Sequence, residues 1–108
     1  MLSKKSCEPC RGLIKPLSLK EAKKLHEQTP QWQLLEKGTK LFREFKFNDF
    51  ADSLKFVNKV GKIAEKEQHH PDIEFGWGYA KITIFTHKID GLHENDFILA
   101  SKVDKVIG

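Results

Sequence analysis

Three histidines mark the positions in this sequence where side chains could carry out acid–base chemistry. His69 and His70 stand side by side before Pro71, directly after a long helical pattern, and His87 follows in the segment FTHKIDG. Imidazoles titrate near neutrality, so they can both donate and accept protons at physiological pH. We predict that these positions converge at one edge of a β-sheet. Because no nucleophile motif or glycine-rich phosphate loop accompanies them, the residues alone indicate an acid–base site whose substrate is unidentified.

Metal binding is the alternative interpretation of these histidines. Adjacent residues on an extended segment point in opposite directions, which argues against His69 and His70 ligating one ion together. Glu65, one helical turn earlier, could instead orient an imidazole or a ligand amine. Cys7 and Cys10 form the single C-x-x-C of the chain, and no second cysteine pair completes a zinc site. We interpret them as reduced surface thiols, with metal binding by the pair and a partner chain or a distant histidine as the alternative.

Length and composition restrict the range of functions. The chain has 108 residues, which favours one domain with a single modest core. No apolar run approaches the roughly 20 residues that span a bilayer, and the N-terminus lacks the apolar core of a signal peptide, so we expect a cytoplasmic protein without a membrane partner. The net charge is +4, but lysines and arginines alternate with acids. Scattered charge is typical of a solvated surface, so no nucleic-acid partner is expected.

The first half of the chain predicts one short helix and a hairpin. Residues 1–17 are interpreted as an irregular N-terminal extension and residues 18–108 as the single domain. Ser18 stands three residues before Glu21, which is the spacing of a helical capping box. The alternating segment that follows predicts a β-hairpin with Gly38 in its turn.

The longest helical pattern begins at Asn48 or Asp49 and ends before Pro71. It carries two apolar rows at helical spacing, which is more than one sheet face needs. We expect one row to be buried and the surplus row to contact a second copy of the chain, so that the protein oligomerises through this helix. The row expected to be buried is Phe50, Leu54, Val57, Gly61 and Ala64, and the surplus row is Phe56, Val60 and Ile63.

The last third predicts two strands, near residues 73–77 and 79–87, and a final helix that begins at about His93. The buried side of that helix is expected to carry Phe97, Ala100, Val103 and Ile107. The element order is therefore α-β-β-α-β-β-α. This order predicts an α+β fold, in which helices pack on one face of a four-stranded antiparallel sheet.

The segment AEKEQHHPDIEFGWGYAKITIFTHKIDGLHENDFILA is similar to the signature region of the pterin-4a-carbinolamine dehydratases, and the resemblance extends over residues 13–108. Several residue types recur at fixed offsets over more than thirty positions, which makes the joint motif specific. Its elements are Glu65 and Lys66, the triplet His69, His70 and Pro71, an alternating strand, Thr86 and His87, Gly91 and Leu92, and Asp96.

The resemblance implies an activity and a set of partners. The reaction is dehydration of 4a-hydroxytetrahydropterin to quinonoid dihydropterin and water, which recycles the pterin used by aromatic amino-acid hydroxylases. No metal and no organic cofactor are implied, and the protein is expected to form dimers or tetramers. Some relatives also act as dimerisation partners of transcription factors. The alternative function is therefore a non-catalytic interaction module that binds a protein partner through the long helix.

The resemblance also implies roles for individual residues. His69 and His87 are implied to be the acid–base pair, and the resemblance leaves open which of them gives the proton. Both are expected to be reachable by solvent. Asp96 is expected to orient an imidazole and fix its tautomer. The remaining implied site residues are His70, which mainly holds the pterin, and Glu65, Pro71 and Thr86, which contact it. His93 departs from the family pattern, because a serine or threonine usually caps the last helix there and histidine is a poor cap.

Overall fold

The computed structural model describes residues 15–107 of the chain. Its elements follow the predicted order, and the fold is α+β with a four-stranded antiparallel sheet, as expected. The helices and strands are α1 (Leu19–His26), β1 (Gln33–Leu35), β2 (Lys40–Lys46), α2 (Phe50–Glu67), β3 (Asp72–Gly76), β4 (Tyr79–Ile84) and α3 (Glu94–Ile107). Residues 1–14 of the predicted extension, with Cys7 and Cys10, lie outside the described residues. Leu17 precedes α1 and donates its N–H to the Leu92 carbonyl at 2.8 Å.

The sheet has the strand order β1-β2-β4-β3, so that β2 and β4 are the central strands and their pairing joins the two hairpins. Alternate residues of β4, Ala80, Ile82 and Ile84, are buried in the core, and α2 and α3 pack against the strand. The sequence predicted a strand that continues to His87. Instead β4 ends at Ile84, Thr86 forms an isolated bridge with Gly91, and His87–Ile89 is a 3₁₀ turn. His87 therefore lies in a turn and not in a strand.

The predicted capping box at the start of α1 is confirmed. The Ser18 hydroxyl accepts the Glu21 N–H at 3.2 Å, and the Glu21 carboxylate accepts the Ser18 N–H at 2.9 Å. Each side chain therefore satisfies a backbone donor that the first helical turn leaves free.

The assignment of the two apolar rows on α2 is wrong except at Ala64, which is buried as expected. The buried residues of α2 are Ser53, Phe56, Val60 and Ala64, whereas Phe50 is 45% exposed and Leu54 is 39% exposed. The ring of Phe56 lies 4.6 Å from that of Phe45 and 5.1 Å from that of Phe47, between centroids. These contacts turn Phe56 and Val60 toward the sheet. Phe50 and Leu54 form an outward apolar row near the start of α2, whereas Val57 packs against the core.

The last helix is fixed to the first hairpin through Asp104. Its Oδ1 accepts a hydrogen bond from Trp32 Nε1 at 2.8 Å and from Arg43 Nη1 at 2.6 Å. Trp32 is buried, and Phe97, Ala100 and Val103 are buried on α3 as predicted. The side chain of Ile107 lies outside the described part of the structure. Within residues 15–107, no helix combines the length and the apolar character that a membrane crossing requires.

Candidate active site

A cleft of about 240 Å³ opens between the end of α2 and the turn that follows β4. It is smaller than the roughly 300–1,000 Å³ of drug-sized pockets, so it suits a small ligand that stays partly in solvent. The three histidines predicted to converge all lie around it. The cleft is lined by Gln68, His69, His70, Thr86, His87 and Lys88.

Gln68 ends α2 and sets the direction of the two histidines that follow. Its backbone is left-handed, with φ of 54°, and its side-chain amide donates to the Glu65 carbonyl at 2.7 Å. The N–H of His69 then donates to the Ala64 carbonyl at 3.1 Å. After this turn His69 contacts Asp96 and His70 contacts Glu65, so the adjacent imidazoles separate, as the extended geometry predicted. The sequence did not reveal this cap, because the position lacks the glycine that usually marks one.

Asp96 holds His69 from inside the protein. His69 Nε2 lies 2.6 Å from Asp96 Oδ1, while Asp96 Oδ2 accepts from Thr86 Oγ1 and from the His93 N–H, both at 2.8 Å. Asp96 is fully buried and the His69 side chain is 11% exposed, so His69 can be reached only through the cleft that it lines. A carboxylate only accepts hydrogen bonds, so the proton of the neutral imidazole resides on Nε2. Nδ1 is then left as a proton acceptor.

His93 caps α3 despite being an unusual cap residue. Its Nδ1 lies 3.4 Å from the Asn95 N–H, and its own N–H donates to Asp96, which stands in the first turn of α3. Asp96 thus supplies one half of a capping box, while the imidazole accepts from the second residue of the helix and not from the third. The departure from the family pattern therefore leaves the helix start and the position of Asp96 intact.

His70 and Glu65 form a short hydrogen-bonded pair on the outside of the cleft. Their side chains are 57% and 74% exposed, respectively. Glu65 lies outside the lining of the cleft, as does Pro71, which connects His70 to the first residue of β3. Both residues are placed to shape the rim of the cleft, and only His70 enters its wall.

His87 stands on the opposite wall and is held differently from His69. Its ring centroid lies 4.1 Å from that of Phe85, and its Nε2 lies 3.7 Å from Asp72 Oδ1. The His87 side chain is 58% exposed. Sequence analysis did not identify Asp72 as a neighbour of His87, although Asp72 directly follows Pro71 of the histidine motif. It also missed Phe85, whose ring position follows from the end of β4 and could not be derived from spacing.

Within residues 15–107 there is no group of three or more histidine, cysteine, aspartate or glutamate side chains that could hold a metal ion. The metal interpretation of Cys7 and Cys10 concerns residues outside that range.

Comparison with known sequences gives a consistent family. A family model described as pterin 4 alpha carbinolamine dehydratase matches residues 15–106. A protein of Methylococcus capsulatus, provisionally named pterin-4-alpha-carbinolamine dehydratase, is 52% identical over 105 residues, which cover 97% of this chain and 92% of the relative. A Rubrobacter xylanophilus protein with the same provisional name is 50% identical over 105 residues, covering 97% of each chain.

Two solved structures share the fold. The transcriptional coactivator/pterin dehydratase from Brucella melitensis aligns with a TM-score of 0.80 at 28% identity, covering 87% of this chain and 100% of that one. A pterin dehydratase-like protein identified as a RuBisCO assembly factor in the alpha-carboxysome aligns with a TM-score of 0.63 at 28% identity, covering 72% and 90%. The family model and the sequence relatives both extend over nearly the whole chain, and the chain therefore belongs to the pterin-4a-carbinolamine dehydratase family.

Proposed function

We propose that this protein catalyses the dehydration of 4a-hydroxytetrahydropterin to quinonoid dihydropterin and water, and so recycles the pterin of aromatic amino-acid hydroxylases. The observation that supports this function best is that His69 and His87 line the same small cleft, although they follow different elements. Membership of the dehydratase family supplies the substrate class.

The reaction needs one proton donor and one proton acceptor. The C4a–O bond breaks and the hydroxyl leaves as water once it is protonated. The proton on N5 is removed by the base and the C4a=N5 double bond forms. The protein returns to its starting protonation state when the base releases this proton to water and the acid takes one up. Groups of this kind contribute about 10²–10⁴-fold to the rate.

The contacts favour His69 as the base and His87 as the acid. Asp96 fixes the Nε2–H tautomer of His69, which leaves Nδ1 to take the N5 proton. His87 is more exposed, and the 3.7 Å from its Nε2 to Asp72 exceeds a hydrogen-bond distance. His87 can therefore protonate the leaving hydroxyl and be reprotonated by solvent.

The rim residues would bind the heterocycle rather than react with it. His70 and Glu65 form an exposed donor–acceptor pair that can contact the ring and amino nitrogens of a pterin. Pro71 limits the movement of His70, and Thr86 lines the cleft while its hydroxyl is engaged by Asp96. We assign these four residues to substrate binding and positioning.

The test is turnover of a carbinolamine generated in situ by an aromatic amino-acid hydroxylase, followed by the absorbance of the quinonoid product. We expect His69→Ala and His87→Ala each to lower kcat by about 10²-fold or more. Lys62→Ala is the control, because Lys62 is an exposed residue of α2 that does not line the cleft. Rates like those of the unmodified protein in both site variants would rule out the acid–base pair.

We further propose that the protein forms a homodimer or homotetramer through the outward row of α2. Phe50 and Leu54 of this row are large apolar side chains exposed to solvent. A second candidate function, a non-catalytic interaction module, would use the same row. It is favoured by the names of the two structural neighbours, a coactivator and an assembly factor. A stoichiometric protein partner captured from native lysate, together with no dehydratase activity, would support the second function over the first.

A further inference from the structure

We propose that Phe85 is a positioning residue that holds the imidazole of His87 at the wall of the cleft, an inference that rests on the proposed function. The two rings lie 4.1 Å apart between centroids, with an angle of 41° between their planes. Phe85 is thus the aromatic surface against which the His87 ring rests.

His87 needs such a support because no side chain or backbone group among residues 15–107 fixes its ring by a short hydrogen bond. His69 is held by Asp96 at 2.6 Å, whereas the nearest described carboxylate to His87, that of Asp72, lies 3.7 Å away. The His87 side chain is also 58% exposed, so surrounding side chains restrict it little. Ring contact with Phe85 is the close contact that remains to select one orientation.

Phe85 is itself fixed in place. It is half-buried and packs against the hydrophobic core just beyond the end of β4. Lys40 Nζ lies 4.8 Å from the centroid of its ring, in a cation–π contact, and 3.4 Å from Glu36. Lys40, Phe85 and His87 therefore form a chain of contacts that begins in β2 and ends in the cleft.

The ring of Phe85 also keeps His87 from turning away from the cleft. A second cavity, of about 290 Å³, is lined by Phe85 and not by His87. If the ring were removed, His87 would gain room to turn from the cleft toward this cavity. Proton transfer requires the imidazole within hydrogen-bond reach of the reacting atom, so this movement would lower the catalytic rate more than substrate binding. The second cavity is lined by Glu36, Thr39, Lys40, Phe85 and Asp90.

The experiment compares Phe85→Leu with Phe85→Tyr in the full chain. Leucine keeps an apolar group but removes the ring, whereas tyrosine keeps the ring. We expect Phe85→Leu to lower kcat by about tenfold or more with little change in KM, and Phe85→Tyr to retain kcat. Thr83→Val is the matched control, because Thr83 lies on the same face of β4 without touching His87 in the described contacts.

A second measurement does not depend on activity. The ring current of Phe85 should displace the NMR signals of the His87 ring protons, and this displacement should vanish in Phe85→Leu and persist in Phe85→Tyr. His87 signals that are the same in Phe85→Leu as in the unmodified protein would overturn the positioning role. So would an unchanged kcat in Phe85→Leu, or a loss that Phe85→Tyr does not rescue. Complete inactivity of the unmodified protein would instead refute the proposed function, and the NMR comparison would then decide the ring contact alone.

Discussion

His69 and Asp96 are in direct contact, at 2.6 Å, although one follows the last turn of α2 and the other stands in the first turn of α3. Thr86, just after β4, donates to the same carboxylate at 2.8 Å. The buried carboxylate of Asp96 therefore joins three elements at the floor of the cleft. The geometry of the proposed base depends on this one side chain more than on any neighbour of His69 in the sequence.

Asp96→Asn should reduce both stability and turnover. An amide offers one accepting oxygen, so at least one of the buried donors that Asp96 satisfies loses its partner. We expect a loss of about 1–3 kcal/mol in the free energy of unfolding, measured by urea titration. The Nε2–H tautomer of His69 is no longer enforced, and kcat should fall by about 10²-fold.

Asp90→Asn is the matched control for this change. Asp90 is an exposed carboxylate whose backbone is left-handed, with φ of 48°, and asparagine tolerates this conformation. It should behave like the unmodified protein. Normal turnover in Asp96→Asn would show that the tautomer of His69 is fixed by something other than this carboxylate.

His70→Ala and Glu65→Gln should mainly weaken substrate binding. The pair is exposed, and exposed ion pairs contribute about 0–1 kcal/mol, so thermal stability should change little. We expect KM to rise while kcat stays close to normal, measured by steady-state turnover of the in situ carbinolamine. A collapse of kcat as large as that in His69→Ala would instead place His70 in the chemical step.

Leu54→Glu should dissociate the assembly. A carboxylate in the outward apolar row of α2 would have to be desolvated at a contact between copies, which is costly. Light scattering should report a lower mass for this variant, and its helical circular dichroism should be unchanged because Leu54 is 39% exposed. Lys59→Glu, an exposed change elsewhere on α2, is the control. A monomeric mass for the unmodified protein would contradict the proposed interface.

The capping box of α1 should contribute stability that depends on pH. Hydrogen bonds from the backbone and hydroxyl of Ser18 lower the pKa of Glu21 below its ordinary value of 4.5. A depressed pKa means that the contribution is fully present above the ordinary value and is lost as pH falls through the lowered one. Thermal unfolding of Glu21→Gln should show a deficit at pH 7 that shrinks in acid. A deficit independent of pH would show that ionisation of Glu21 is not involved.

Local features of the fold could be predicted, because a few neighbouring residues determine them. The bonds between Ser18 and Glu21 involve groups three residues apart, so the spacing was sufficient. The faces of α2 were not predictable in this way. Two apolar rows lie side by side on the helix, and the choice between them depends on where Phe45 and Phe47 of the first hairpin meet Phe56.

The site shows the same division between local and distant determinants. The types and spacing of His69, His70 and His87 predicted one acid–base region, and these residues do lie around one cleft. Asp72 came near His87 only through the pairing of β3 with β4, in which Asp72 lies opposite Thr83. Such an approach depends on strand register, which a single sequence leaves undetermined.

The two aspartates of α3 have a joint mechanical consequence. Asp96 binds the floor of the cleft near one end of the helix, and Asp104 binds Trp32 and Arg43 near the other end. Eight residues of α-helix separate them by about 12 Å, and such a segment is stiff. The helix thus couples the first hairpin rigidly to the proposed base, so that loosening at Trp32 would be transmitted through Asp104 and Asp96 to the imidazole of His69.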